Sequence, residues 1–235
     1  IKVTVEELRS LAAANEGNGD VQTAYAKGLV NLSSKQELLD IKVTVEELRS
    51  LAAANEGNGA IQTAYANGLF NLSCRQKLPD RKVTVEKLRS LAAINEGNAG
   101  VQTAYANGLF NLSCKQELLD RKVTVEELRS LAAANEGNGD VQTAYANGLV
   151  NLSSRQELRD RKVTVEELRS LAAANERNGA IQAAYAKGLF NLGCEQELPE
   201  IKGTVEELGR LAAENAENAE IQAIYTEVMD IFSSE

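Results

Sequence analysis

The chain repeats itself every 40 residues, and that period constrains its fold more than any other feature. Ile1, Ile41, Arg81, Arg121, Arg161 and Ile201 begin six copies of one unit. All six tyrosines (Tyr25, Tyr65, Tyr105, Tyr145, Tyr185 and Tyr225) fall at a single position within it. A period of this length marks a stacked array, in which each unit buries its apolar faces against its neighbours. A longer period lies above the first. Copies one and four share Asp20/Asp140 and Val30/Val150, copies two and five share Ala60/Ala180 and Ile61/Ile181, and copies three and six alone have Ala99 and Ala219 in place of glycine. Duplication of a three-unit block accounts for this pattern.

Each unit reads as helices. In the second copy Val45, Leu48, Leu51 and Ala52 recur at three- and four-residue spacing, with Glu46, Glu47, Arg49 and Ser50 on the other face. The run ends at "NEGN", where Gly57 is suited to a left-handed helix-ending turn. Asn58 then reads as the N-cap of a second helix. In the first copy the buried stripe of that helix is Val21, Tyr25, Gly28/Leu29 and Leu32. No segment alternates as a strand does. The start of the first helix has two readings. It runs unbroken from about Asp40, with Pro79 and Pro199 near the tolerated first helical position. Alternatively Thr44 caps a fresh helix, with Glu47 completing a capping box and Val43 against Leu48 as a hydrophobic staple. The continuous face of Leu38, Val45, Leu48 and Ala52 favours two helices per unit.

Composition narrows the function. Hydrophobic residues make up 43% of the chain, aromatic residues 4%, and there is no Trp, so the core is aliphatic and alanine-rich. A net charge of −9 without a basic stripe argues against nucleic acid. No apolar run approaches the roughly 18 residues of a membrane-spanning helix. The chain opens mid-pattern on Ile1 rather than Met, so it reads as a piece of a longer protein whose targeting signal would be missing. Cys74, Cys114 and Cys194 share one repeat position. Stacking at about 10 Å exceeds the roughly 7 Å Cα separation that a disulfide spans. Free thiols are therefore expected. With the chemically soft Asn-Gly pairs at Asn18, Asn58, Asn138 and Asn178, they favour a cytoplasmic setting.

Catalysis has little to work with. The chain has no His, no C-x-x-C pair and no phosphate-binding glycine motif. The Glu6–Glu7, Glu46–Glu47, Glu126–Glu127 and Glu166–Glu167 pairs are sequence neighbours, which read as a solvated helix face. No enzyme activity, cofactor or metal is expected.

The helical hairpin with its tyrosine and its small residues on the second helix resembles the tetratricopeptide-like superfamily, although the period is 40 rather than that family's usual length. The stretch "VQTAYAKGLVNLS" is similar to the third helix of armadillo repeats. That resemblance implies an α-solenoid used for protein binding, in which an asparagine holds the main chain of an extended peptide. The matching residues are Asn31, Asn71, Asn111, Asn151 and Asn191. The family's tryptophan position is held by Lys27, Asn67, Asn107, Asn147 and Lys187. Val30, Phe70, Phe110, Val150 and Phe190 add an apolar row beside this ladder. Gly28 and its equivalents cost about 1 kcal/mol each in a helix interior, which points to a close-packed neighbouring helix.

The expected architecture is an all-α, right-handed α-solenoid forming one array of helical-hairpin repeats: 1–40, 41–80, 81–120, 121–160, 161–200 and a C-terminal capping repeat, 201–235. The expected function is a non-enzymatic scaffold binding a protein or peptide along the second-helix surface, a basic partner suiting the net charge. A structural spacer and head-to-tail self-association through the uncapped N-terminal repeat are the competing readings.

Overall fold

The structure, a computed structural model, describes residues 4–197 and 200–233, the last two by their backbone alone. Twelve helices and no strand occur among the described residues, and each repeat contributes two helices. They group into two compact units, residues 1–115 and 116–235. The first contains α1 (Val5–Ala14), α2 (Gly19–Ser33), α3 (Leu38–Ala54), α4 (Gly59–Arg75), α5 (Leu78–Ile94) and α6 (Ala99–Ser113). The second contains α7 (Leu118–Ala134), α8 (Gly139–Ser153), α9 (Leu158–Ala174), α10 (Gly179–Gly193), α11 (Glu200–Glu214) and α12 (Ala219–Ser233). Within each unit the second helices of successive hairpins pack side by side, α2 on α4 on α6 and α8 on α10 on α12, with the first helices laid against them. This neighbour-to-neighbour packing is that of a helical-repeat protein.

The long first helix settles the two readings of its start. Helix α3 begins at Leu38, so Thr44 lies inside it rather than capping it. Its side chain is 4% exposed and donates 2.8 Å to Gln36 Oε1. A mid-helix hydroxyl needs such a partner once it is buried. Thr84, Thr124 and Thr164 donate to Gln76, Gln116 and Gln156 in the same way. Val43, free of any staple, is 67% exposed. Only at the first hairpin does the threonine cap a helix: Thr4 and Glu7 form the reciprocal capping box. Pro79 sits in the first turn of α5, and Pro199 lies outside the described residues.

The turn between the helices is built by asparagines rather than by glycine. Helix α3 ends on Asn55, whose backbone N–H bonds Ala52 O and whose side chain donates 2.9 Å to Leu51 O. Gly57 does not take the expected left-handed conformation, because Asn55 already satisfies the last carbonyls. Asn58 is the N-cap the sequence indicates and accepts from the Ala60 and Ile61 N–H groups. A buried glutamine then closes the hairpin. Gln102, 4% exposed, donates from Nε2 to Ala92 O at 2.9 Å and Asn95 O at 3.0 Å. Gln22, Gln62, Gln142, Gln182 and Gln222 do the same in their own repeats.

The mid-helix glycines lie where the two helices of one hairpin touch. A Cβ on Gly148 would stand 2.8 Å from Leu128 Cδ1, and Gly28, Gly68, Gly108 and Gly188 face Leu8, Leu48, Leu88 and Leu168 in the same way. In the sixth repeat Val228 takes this place, and an apolar pocket of about 90 Å³ opens between Leu189, Phe190, Leu208, Val228 and Ile231.

The Gly148→Ala variant is expected to lose about 1 kcal/mol in urea denaturation, because roughly 1–3 kcal/mol of overpacking exceeds the helix-propensity gain. Gly57→Ala, with nothing within 4 Å of its Cβ position, is expected to stay within about 0.5 kcal/mol of the parent.

Candidate functional site

The second helices α4, α6, α8 and α10 are buried nearly all round. Between Val101 and Ser113 of α6, only Thr103, Asn107, Phe110 and Asn111 have side chains that reach solvent, and all four are half-buried. The equivalent positions in α8 are Thr143, Asn147, Val150 and Asn151. In α4 the outward stripe is Asn67, Phe70 and Asn71, flanked by Thr63 and Tyr65. In α10 it is Lys187, Phe190 and Asn191. In α2 Lys27 and Asn31 are exposed beside the half-buried Val30. The structure therefore brings the sequence-indicated residues to one face within each unit.

The two asparagine rows differ in what holds them. Asn71 Nδ2 donates 2.9 Å to Ser33 Oγ of the preceding repeat, and Asn191 Nδ2 donates 3.1 Å to Ser153 Oγ. Asn111 Nδ2 donates 3.1 Å to Cys74 Sγ. These amides tie second helices together, each with one of its two N–H donors. By contrast, the side-chain amides of Asn67, Asn107 and Asn147 have no hydrogen-bond partner among the described residues, although they are half-buried. Lys187 is paired with Glu220 at 2.7 Å.

Several structural residues escape a reading by periodicity. Arg81, 7% exposed, sends Nη2 to Gln76 O and Cys74 O and Nη1 to Asn111 O, at 3.0–3.4 Å. Its cation lies among carbonyls at two helix C-termini, where the dipole favours positive charge. Arg121 and Arg161 repeat the arrangement on Asn151 O and Asn191 O. The Nε atoms of all three are buried without a partner. Cys74, Cys114 and Cys194 are exposed and form no disulfide. Burial pushes the Cys74 thiol up in spite of Arg81 nearby.

On the first-helix side a clasp joins successive repeats. Arg9 Nε donates 2.9 Å to the Tyr25 hydroxyl, and its Nε and Nη2 grip the Glu47 carboxylate, both at 2.8 Å. Tyr25 donates to the same carboxylate. Arg129–Tyr145–Glu167 and Arg169–Tyr185–Glu207 form the same triad. Burial, then the Glu47 bond, pushes the Tyr25 hydroxyl up to about 12. Burial raises Glu47, but the bonds from Arg9 and Tyr25 outweigh it and hold the carboxyl below its usual range. The signal in the sequence was Glu47 at the boundary of a Glu pair, inseparable there from a solvated face.

Among the described residues, no group of three His, Cys, Asp or Glu side chains clusters as a metal site, and no helix is long and apolar enough to cross a membrane. Comparison with protein-family models, curated proteins and solved structures finds no match to this chain.

The Asn71→Ala variant is expected to lose about 1 kcal/mol of stability, the net worth of a half-buried hydrogen bond, while Asn67→Ala is expected to lose almost none. Urea denaturation of the two single variants compares them. The clasp gives the pH dependence its sign. The neutral Tyr25 hydroxyl is favoured by folding, so its contribution is complete below about pH 10, the unfolded value. It is lost as pH rises through about 12. Glu47 acts at the other end: its contribution is complete above the ordinary carboxylate range and lost as pH falls through its lowered value. Thermal melts across pH are expected to show a plateau at neutral pH that declines on both sides, less steeply in a Tyr25→Phe, Glu47→Gln variant.

Proposed function

We propose that the protein is a non-enzymatic scaffold that binds an extended polypeptide across its second helices, in the manner of tetratricopeptide-like and armadillo-like solenoids. The observation that carries this reading is the unpaired amide row, Asn67 and Asn107 in the first unit, set beside the half-buried Phe70 and Phe110. An amide supplies both a donor and an acceptor, which is what a peptide main chain requires. Neighbouring helices lie about 8–10 Å apart. A polyproline-II segment rises about 3.1 Å per residue with three residues per turn, so it returns one face every ~9.3 Å. One repeat thus meets every third residue of the ligand, with the phenylalanines taking the apolar side chain of each turn. Lys27 at one margin and the net charge of −9 leave room for uncharged and basic partners.

Self-association draws less support from the residues at the two ends. Ala24 is exposed in the first repeat, whereas Ala64, Ala104, Ala144 and Ala184 are buried. The sixth repeat, however, carries Gly209 and Ala223 at the positions where Arg9 and Thr23 of the first repeat hold the following hairpin.

A library of extended peptides screened against the parent and the Asn67→Ala, Asn107→Ala double variant tests the reading. Selected peptides are expected to bind the double variant at least about tenfold more weakly, equivalent to about 1.4 kcal/mol, with an unchanged melting temperature. Equal binding by both proteins, or no binder from the library, would sink it.

A further inference from the structure

Inter-repeat triads place a carboxylate between an arginine and a tyrosine, as Glu47 on Arg9 and Tyr25, Glu167 on Arg129 and Tyr145, and Glu207 on Arg169 and Tyr185. At the junction of the second and third repeats the same sequence position is Lys87. Arg49 and Tyr65 keep their places, but nothing closes the triad. The Tyr65 hydroxyl has no hydrogen-bond partner among the described residues, and Tyr65 is only half-buried, whereas Tyr25, Tyr145 and Tyr185 are each 5% exposed. Arg49 turns its Nε onto Glu46 of its own helix at 2.8 Å, leaving both terminal nitrogens unbonded. Its side chain is 60% exposed, against 44% for Arg129 and Arg169.

We propose that Arg49, Tyr65 and Lys87 form a docking point for an Asp or Glu side chain of a partner polypeptide. The incoming carboxylate takes the position that Glu47, Glu167 and Glu207 occupy in their own junctions. The guanidinium fork matches a planar two-oxygen group, the Tyr65 hydroxyl donates to one of those oxygens, and Lys87 adds a second cation where the other junctions place an anion. A tetrahedral phosphate matches this planar arrangement less well. The docking point lies on α3, α4 and α5, uses neither Asn67 nor Asn107, and does not depend on that row binding anything. A solvent-exposed pair of this kind is weak alone, so the carboxylate acts as an anchor within a larger contact.

The test uses the full chain, isotope-labelled, with the side-chain N–H signals of its arginines followed by NMR. The probe is the capped tripeptide acetyl-Gly-Glu-Gly-amide, compared with the Gln analogue and with inorganic phosphate. A saturable shift is expected at the Arg49 side chain, with a dissociation constant on the order of 1–10 mM, and none at Arg9, Arg129 or Arg169. Lys87→Glu, which supplies the carboxylate from within, is expected to abolish the shift. Tyr65→Phe, which keeps the ring and its packing, is expected to weaken binding severalfold. Equal shifts at all the arginines, an equal response to the Gln peptide, persistence in Lys87→Glu, or no shift at all would overturn the proposal. A tighter response to phosphate would overturn the carboxylate assignment.

Discussion

One glutamine amide, buried in five repeats and half-buried in the sixth, holds each hairpin closed, and every other contact builds on it. Gln22 and its five equivalents reach from the second helix to the last carbonyls of the first, where an α-helix leaves acceptors unpaired. Left unbonded, those buried carbonyls would cost on the order of 1–3 kcal/mol per group. The sixth repeat has lost the arginine, the mid-helix glycine and the outward asparagine, yet Gln222 still bonds Ala212 O and Asn215 O. With the helix ends fixed, Leu48 can settle on Gly68, and the hairpin becomes a rigid piece that stacks.

Stacking is then directed by polar ties as much as by apolar burial. Asn58 caps its own helix through Oδ1 and reaches Thr23 of the preceding repeat through Nδ2. Asn71 reaches Ser33, Arg81 gathers carbonyls from two helix ends, and the Arg–Tyr–Glu triad closes the far side. Each tie joins a hairpin to its immediate neighbour, so changing one residue affects one junction. Lys87 illustrates this: it leaves Arg49 and Tyr65 unclosed while Asn98 still bonds Gly59 O and Thr63 at the same junction. A repeat array can therefore carry a distinct surface at one junction without disturbing its fold.

Much of the fold was legible because periodicity reports burial. The 40-residue period, the two helices per repeat, the Asn58 cap and the glycine contact all follow from spacing and backbone preference. The outward stripe was legible for the same reason, since a helix buried on three sides leaves one narrow face. The helix ends were less readable. Thr44 with Glu47 has the pattern of a capping box, and "NEGN" has that of a glycine stop. Both lost to contacts within the hairpin, Thr44 to Gln36 and the helix end to Asn55. Gln22 and Arg81 look like surface residues in a one-dimensional pattern, because long polar side chains are buried only when carbonyls await them.

The sequence by itself determined that the chain is a helical repeat and which residues share its outward face, because hydrophobic spacing and helix geometry are local properties. Only the tertiary structure separated residues of identical appearance. Asn67 and Asn71 lie one turn apart on the same stripe, yet Asn71 is bonded to the neighbouring helix and Asn67 is open. Arg9 and Arg49 occupy the same repeat position, yet one holds Glu47 and the other lacks an inter-repeat partner. Whether a polar group is satisfied depends on what the next repeat places within about 3 Å of it, and that is a property of the stack rather than of the helix.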